Sequence, residues 1–311
     1  MLIVAGEALI DLTPTAHPEG TAYIPRPGGS PYNVALGASR LGTPVAFLGR
    51  VSQDAFGQLL KRHLAASGVR LDYLKEGPEL TTLALVTPSE GGEFFSFYCE
   101  NTADRLLRPQ DLPPDLPPNA ALHLGSYSLV LEPSASTLEQ LMAREARQRL
   151  ISLDPNVRPF LIPDKQAYLE RLARWLKQVD LVKVSQADLA WLYPGQAPED
   201  LAQAWLEQGP ALVVVTQGRE GAFAVGRWGT LRTQAPLVQV VDTVGAGDAF
   251  MAGVLSWLWA QGIWSRGGLA ALDAGAVGEL LRFAARVAAL TCTRAGANPP
   301  WREELSSLPG E

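Results

Sequence analysis

The sequence predicts an α/β protein whose mainly parallel central sheet is flanked by helices. Short β-branched or apolar runs recur at Leu2 to Ala5, Val45 to Leu48, Leu181 to Val184 and Leu212 to Val215. Runs of that length and composition fit strands buried on both faces. Longer helix-like segments separate them, and this alternation is the pattern of parallel strands joined by crossover helices. With 311 residues, the chain can bury a full core.

The N-terminus, MLIVAGEALIDL, lacks a cationic segment followed by an apolar stretch and a cleavage site, so it reads as a first strand. Leu12 to Arg26, rich in Pro and Thr, departs from the alternation. So does Thr81 to Tyr98, where two strand-like runs flank a SEGG turn. Both stretches are expected in a small sheet outside the main layer. Candidate helices are Tyr32 to Leu41, Ala55 to Ala66, Ser134 to Arg149, Lys165 to Gln178 and Leu201 to Glu207. Pro109 to Ala120 reads as a surface connection. The apolar stretch Ala249 to Trp264 is too short for a membrane span and begins against Asp248, so a core helix is expected.

Lys plus Arg number 26 against 32 Asp plus Glu, a formal charge of -6, which argues against a nucleic-acid or anionic-membrane partner held by bulk charge. Cys99 and Cys292 lie far apart and outside any metal-ligand spacing, which suits free thiols in a reducing cytoplasm. His17, His63 and His123 fall outside the motifs below and receive no role.

The strongest signal is VVDTVGAGDAF at Val240 to Phe250, read as an apolar strand end, a small-residue turn and a helix. Such a turn leaves backbone N–H groups free at a helix N-terminus, where they and the helix dipole favour phosphate oxygens. A carboxylate at Asp248 inside that pocket fits proton removal from an attacking hydroxyl, and the positive helix end is expected to keep it ionised. In GGSPYNVALGASRLG, Gly28 to Gly42, paired glycines precede a helix opening near Pro31. Asn33 there reads as a helix cap, or as a group able to donate to and accept from a polyol.

DTVGAGD resembles the signature of the ribokinase (PfkB-type) family of carbohydrate kinases, and the GG…N…A…LG pattern resembles that family's second signature. LDPNVRP at Leu153 to Pro159 resembles a segment of bacterial fructokinases and ketodeoxygluconate kinases. The resemblance runs from the first strand to about Trp301. It implies one ribokinase-like domain over 1–311, with a β-sheet lid from about 12–27 and 81–101. It implies that the backbone of Gly245, Ala246 and Gly247 forms an anion hole and that Asp248 is the catalytic base. Asp242 is implied to help hold a monovalent cation, K⁺, or to fix the turn. Gly28, Gly29, Asn33 and Asp11, placed at the end of the first strand, are implied sugar contacts.

Arg158 is expected to clamp substrate or phosphate, against the alternative of an ion pair with Asp154. Phe97 belongs to a lid run, Phe94 to Tyr98, whose alternation sends one face to the sugar and the other to a second subunit, with apolar packing as the other reading. KVSQADL resembles the segment whose acid acts on Mg²⁺ through water, which implicates Lys183 and Asp188. VTQGREGA resembles the segment that brings Thr216, Gly218 and Gly221 close to ATP. Ala285 stands where relatives often have Asn at the adenine pocket. The function implied is a cytoplasmic, ATP- and Mg²⁺-dependent sugar kinase, with fructose the leading substrate and a homodimer through the lid. Ketodeoxygluconate kinase, nucleoside kinase and a non-catalytic sugar-binding regulator are the competing readings.

Overall fold

Burial on both faces makes a strand apolar at every position, and LIVA at Leu2–Ala5 has all four residues buried. The computed structural model describes residues 1–89 and 92–307. In chain order the elements are β1 (Leu2–Ala5), β2 (Leu9–His17), β3 (Gly20–Gly28), α1 (Ser30–Arg40), β4 (Val45–Ser52), α2 (Ala55–Ala66), β5 (Arg70–Gly77), β6 (Leu83–Ser89) and β7 (Gly92–Tyr98). They continue with β8 (Ala121–Gly125), α3 (Ser134–Glu145), β9 (Ile151–Asp154), α4 (Lys165–Leu176), β10 (Leu181–Ser185), α5 (Gln186–Leu192), α6 (Pro198–Gln208) and β11 (Leu212–Thr216). The last are β12 (Ala222–Gly226), β13 (Gly229–Thr233), α7 (Ala246–Ala260), α8 (Arg266–Ala271) and α9 (Ala274–Cys292).

The main sheet has the order β13-β12-β11-β10-β9-β8-β1-β4-β5. Neighbours from β11 to β5 run parallel, and β12 and β13 turn back antiparallel at one edge. Alternate residues of β1 serve opposite faces. Leu2 and Val4 pack with residues of α1, α2, α7 and α9. Ile3 and Ala5 pack with residues of α3, α4, α5 and α6. Helix α7 is buried nearly all round from Asp248 to Leu258, as the expected core helix requires. A Cβ on its Gly253 would lie 2.8 Å from Cα of Ala284, so only glycine lets α9 approach this closely.

A second sheet, ordered β3-β2-β6-β7, forms from the two stretches that break the alternation. Glu90 and Gly91 of the SEGG turn, and the side chains of Phe94 and Phe95, lie outside the described residues.

Local geometry corrects several sequence expectations. Asp11 is not at the end of the first strand: β1 stops at Ala5, and Asp11 sits in β2, opposite Arg26 of β3. Val240 and Val241 are exposed loop rather than a strand end, because the N–H groups of Val241 and Asp242 bond to Cys292 O at the end of α9. Helix α3 ends at Glu145, four residues before Arg149, with Arg147 at φ 68 just beyond it. Helix α7 ends at Ala260, where Gly262 adopts φ 69.

Candidate active site

The C-terminal ends of parallel strands and the helix starts that follow them gather the polar groups of the interior. Gly245 precedes α7 in a left-handed conformation (φ 75), and a Cβ there would stand 2.5 Å from that of Ala297. The turn therefore requires glycine. No side chain caps this helix, and among the described residues the N–H groups of Gly247 and Asp248 have no hydrogen-bond acceptor. These free donors, with the helix dipole behind them, make a pocket suited to phosphate oxygens.

Asp248 is buried and accepts three side-chain hydrogen bonds. Ser30 Oγ donates to Oδ1 at 2.7 Å, Asn33 Nδ2 to Oδ2 at 2.8 Å and Asn156 Nδ2 to Oδ1 at 3.2 Å. Burial pushes its carboxyl above the usual range; the bonds from Asn33 and Ser30 and the charges of Lys183 and Arg158 pull the other way. The ionised form that the positive helix end was expected to favour is opposed here by desolvation, the largest of these influences.

The helix-cap reading of Asn33 is also corrected. Gly29 (φ 107) is the N-cap of α1, and Asn33 lies inside the helix with its amide turned to Asp248. Its Oδ1 is buried without a partner, an acceptor placed for a ligand hydroxyl.

Ser30 and Asn156 went unnoticed in the sequence. Asn156 closes the DPN triplet, with φ 39, and the Ser30 hydroxyl sits between paired glycines and a proline. Neither motif states which way its polar group turns.

Glu7 is a third residue that the sequence did not single out. It is fully buried, accepts the Ser30 N–H at 3.2 Å and the Ser128 N–H at 3.3 Å, and so ties the paired-glycine loop to the turn after β8. Burial pushes its carboxyl up to about 7, against hydrogen bonds from Ser126 and Ser128. A Cβ on Gly29 would lie 2.9 Å from Glu7 O, and one on Gly28 would lie 2.2 Å from Oδ2 of Asp11. Both glycines are therefore needed for close approach, and the second leaves room for the Asp11 carboxylate.

Lys183 and Asp154 form a buried ion pair at 2.9 Å. Burial pulls the Lys183 ammonium down, but Asp154, Asp248 and Asp188 outweigh it and hold the group above its ordinary value. A Cβ on Gly247 would be 2.9 Å from Nζ, so Lys183 lies directly beneath the α7 turn. Arg158 does not pair with Asp154. Its Nη1 donates to Asn156 Oδ1 at 2.5 Å, making Asn156 a bridge between Arg158 and Asp248.

Asp188 caps α5 in a reciprocal pair with Ser185 and accepts the Val157 N–H at 3.1 Å, which docks the DPN loop. Thr216 pairs with Ser185 across neighbouring strands. Gly218 adopts φ 58 in open space, whereas Gly221 is required by packing, since a Cβ would meet Thr233 O at 2.0 Å.

Asp242 accepts N–H groups from Val244 at 3.0 Å and Gly296 at 2.7 Å, joining the glycine turn to the loop after α9. Among the described residues no cluster of three or more His, Cys, Asp or Glu side chains forms a metal site.

Phe97 packs with Tyr127 (centroids 5.8 Å apart) and Phe160 (5.2 Å), while its neighbour Tyr98 is exposed. No helix among the described residues is long and apolar enough to cross a membrane.

Residues 1–304 match the model of the pfkB family carbohydrate kinases. A fructokinase of Rhizobium leguminosarum bv. trifolii is 39% identical over 275 residues, covering 88% of this chain and 84% of that one. The crystal structure of a Xylella fastidiosa fructokinase with bound ATP matches with a TM-score of 0.90 and 32% identity, over 98% of this chain and 97% of that one. A Vibrio cholerae O395 fructokinase, solved with fructose, ADP and calcium ion bound, matches with a TM-score of 0.86 and 29% identity, over 99% and 98%.

Proposed function

This chain belongs to the pfkB family of carbohydrate kinases, and we propose that it transfers the γ-phosphoryl group of ATP to the 6-hydroxyl of D-fructose. It is a phosphotransferase with an alcohol acceptor. The observation that carries the reading is the buried Asp248 carboxylate, held by Ser30, Asn33 and Asn156 at the mouth of an uncapped helix N-terminus.

In this reading Asp248 takes the hydroxyl proton as the sugar oxygen attacks the γ-phosphorus and the bond to the ADP oxygen breaks. The free Gly247 and Asp248 N–H groups donate to the phosphoryl oxygens, the Ala246 N–H being taken by Thr243 O, and Lys183 beneath the turn offsets their growing charge. Asn33 Oδ1 and Asp11 accept sugar hydroxyls, with Gly28 and Gly29 allowing close approach. Arg158 reaches substrate or phosphate from the DPN loop, and Thr216 and Gly218 flank the nucleotide. Mg²⁺, held through water by Asp188, would shield the phosphate charge, and K⁺ beside Asp242 would steady the turn.

We place the enzyme in the cytoplasm, with the β3-β2-β6-β7 sheet as a lid that brings Phe97 toward the sugar. A homodimer would cover exposed Tyr23, Ile24 and Tyr98 on that sheet.

The test is ATP consumption with Mg²⁺ and K⁺ against fructose, ketodeoxygluconate, ribose, glucose and adenosine. Selective turnover of fructose supports the full reading. Turnover of another panel member replaces the substrate, and no turnover with any of them favours the regulator.

A further inference from the structure

At the other end of the main sheet, the segments that enter β8 to β11 frame a cavity of about 440 Å³. Asp248 and the polar groups around it sit where those strands end, so the cavity is separate from the candidate active site. Its wall is basic in a chain whose formal charge is -6: Arg147, Arg149, Lys177 and Arg266 line it against a single acid, Asp180.

That acid is already engaged, since Asp180 accepts the Ile151 N–H at 2.9 Å and an Arg266 N–H at 3.0 Å. Arg266 also donates to Gly209 O at 2.6 Å. Arg149 is fixed by Glu145 at 2.6 Å and by Pro117 O at 3.0 Å. Two guanidinium forks are therefore held in place before any ligand arrives. Among the described residues, the side chains of Arg147 and Lys177 make no hydrogen bond or ion pair. Arg147 also sits at φ 68, a backbone conformation that non-glycine residues rarely adopt. Two further atoms of the lining residues, Trp264 Nε1 and Gln178 Oε1, are buried without a partner. Such groups are uncommon in a folded interior and suit a hydroxylated ligand.

We infer that this cavity binds a phosphate monoester of a small polyol, at a site distinct from the active centre. Arg147 and Lys177, backed by the fixed Arg149 and Arg266, take the phosphate. Both polar atoms are closed off from solvent in the empty cavity, so the side chains turn on binding: Gln178 Oε1 then accepts a ligand hydroxyl, and the Trp264 indole N–H donates to a ligand oxygen. The cavity is large enough for a six-carbon sugar phosphate, the class of product that the proposed reaction releases.

Isothermal titration with fructose 6-phosphate tests this on enzyme saturated with fructose and a non-hydrolysable ATP analogue, with inorganic phosphate as the second probe. The expected result is one ester bound per chain, weakened at least tenfold in Arg147→Ala/Lys177→Ala, with turnover in the absence of ester unchanged. Trp264→Phe weakens the ester and leaves inorganic phosphate unaffected. Absence of binding to the blocked enzyme, or equal binding by wild type and the double variant, overturns the site. Ester and inorganic phosphate binding equally well overturns the polyol part. The double variant reads the distal site whichever sugar the enzyme phosphorylates, so failure here is distinguishable from failure of the proposed function.

Discussion

The side-chain amide of Asn33 donates to Oδ2 of Asp248 at 2.8 Å, while its own Oδ1 is buried with no partner. One residue thus faces both the carboxylate and the space a hydroxylated ligand would fill. In Asn33→Ala, Asp248 loses a bond that holds its carboxyl down, so the acidic limb of kcat/KM against pH moves to higher pH. A hydrogen bond to a charged group contributes about 1.5–3 kcal/mol, so kcat/KM should fall roughly 10- to 100-fold at neutral pH, with KM for the sugar rising more than KM for ATP. An unmoved pH profile would separate Asn33 from the base.

Asp248→Asn keeps the shape of the site and removes the proton acceptor. Turnover should fall by roughly 10²- to 10⁴-fold, the span expected for loss of a general base, with sugar and nucleotide binding retained. Stopped-flow rates and calorimetric titration on one preparation check both halves. Near-normal turnover would remove Asp248 from the chemistry.

Lys183→Met leaves the buried Asp154 carboxylate without its cation. Breaking a buried pair in this way costs about 3–5 kcal/mol, so the urea midpoint should drop markedly. Lys183→Met/Asp154→Leu should regain much of that stability while staying slow in catalysis. If the double variant is as unstable as the single one, the loss is of packing rather than charge.

Glu7, raised to about 7 by burial, binds its proton more tightly in the folded chain than in the unfolded one, where its value is 4.5. Between those two values the native state holds the extra proton, so stability declines as pH rises from 4.5 to 7. The decline attributable to this residue is on the order of 3 kcal/mol. Subtracting the urea-derived stability of Glu7→Gln from that of wild type at each pH isolates it. A difference curve that is flat through this range would place Glu7 at an ordinary carboxylate value.

The strands at Leu2, Val45, Leu181 and Leu212 and the helix over Ala55–Ala66 were legible because burial on two faces and helical periodicity write themselves into consecutive residues. Helix ends were less so. Arg147 and Gly262 stop α3 and α7 short of their apolar patterns through positive φ, a backbone choice that hydrophobicity does not encode. The Val240–Val241 run looked like a strand, yet it spends its N–H groups on Cys292 O and its side chains face outward.

The sequence by itself determined that a glycine-rich turn with an acid sits at the start of a buried helix, and that paired glycines precede another. Those features are local, set by glycine conformations and by the free N–H groups of a helix start. Only the tertiary structure decided what surrounds the acid: Ser30 and Asn33 from 218 and 215 positions away, Asn156 from 92 away, and Lys183 beneath Gly247. It also decided that burial raises Asp248, because desolvation and the balance of charges around a buried carboxyl depend on chain segments that meet only when the sheet closes around it.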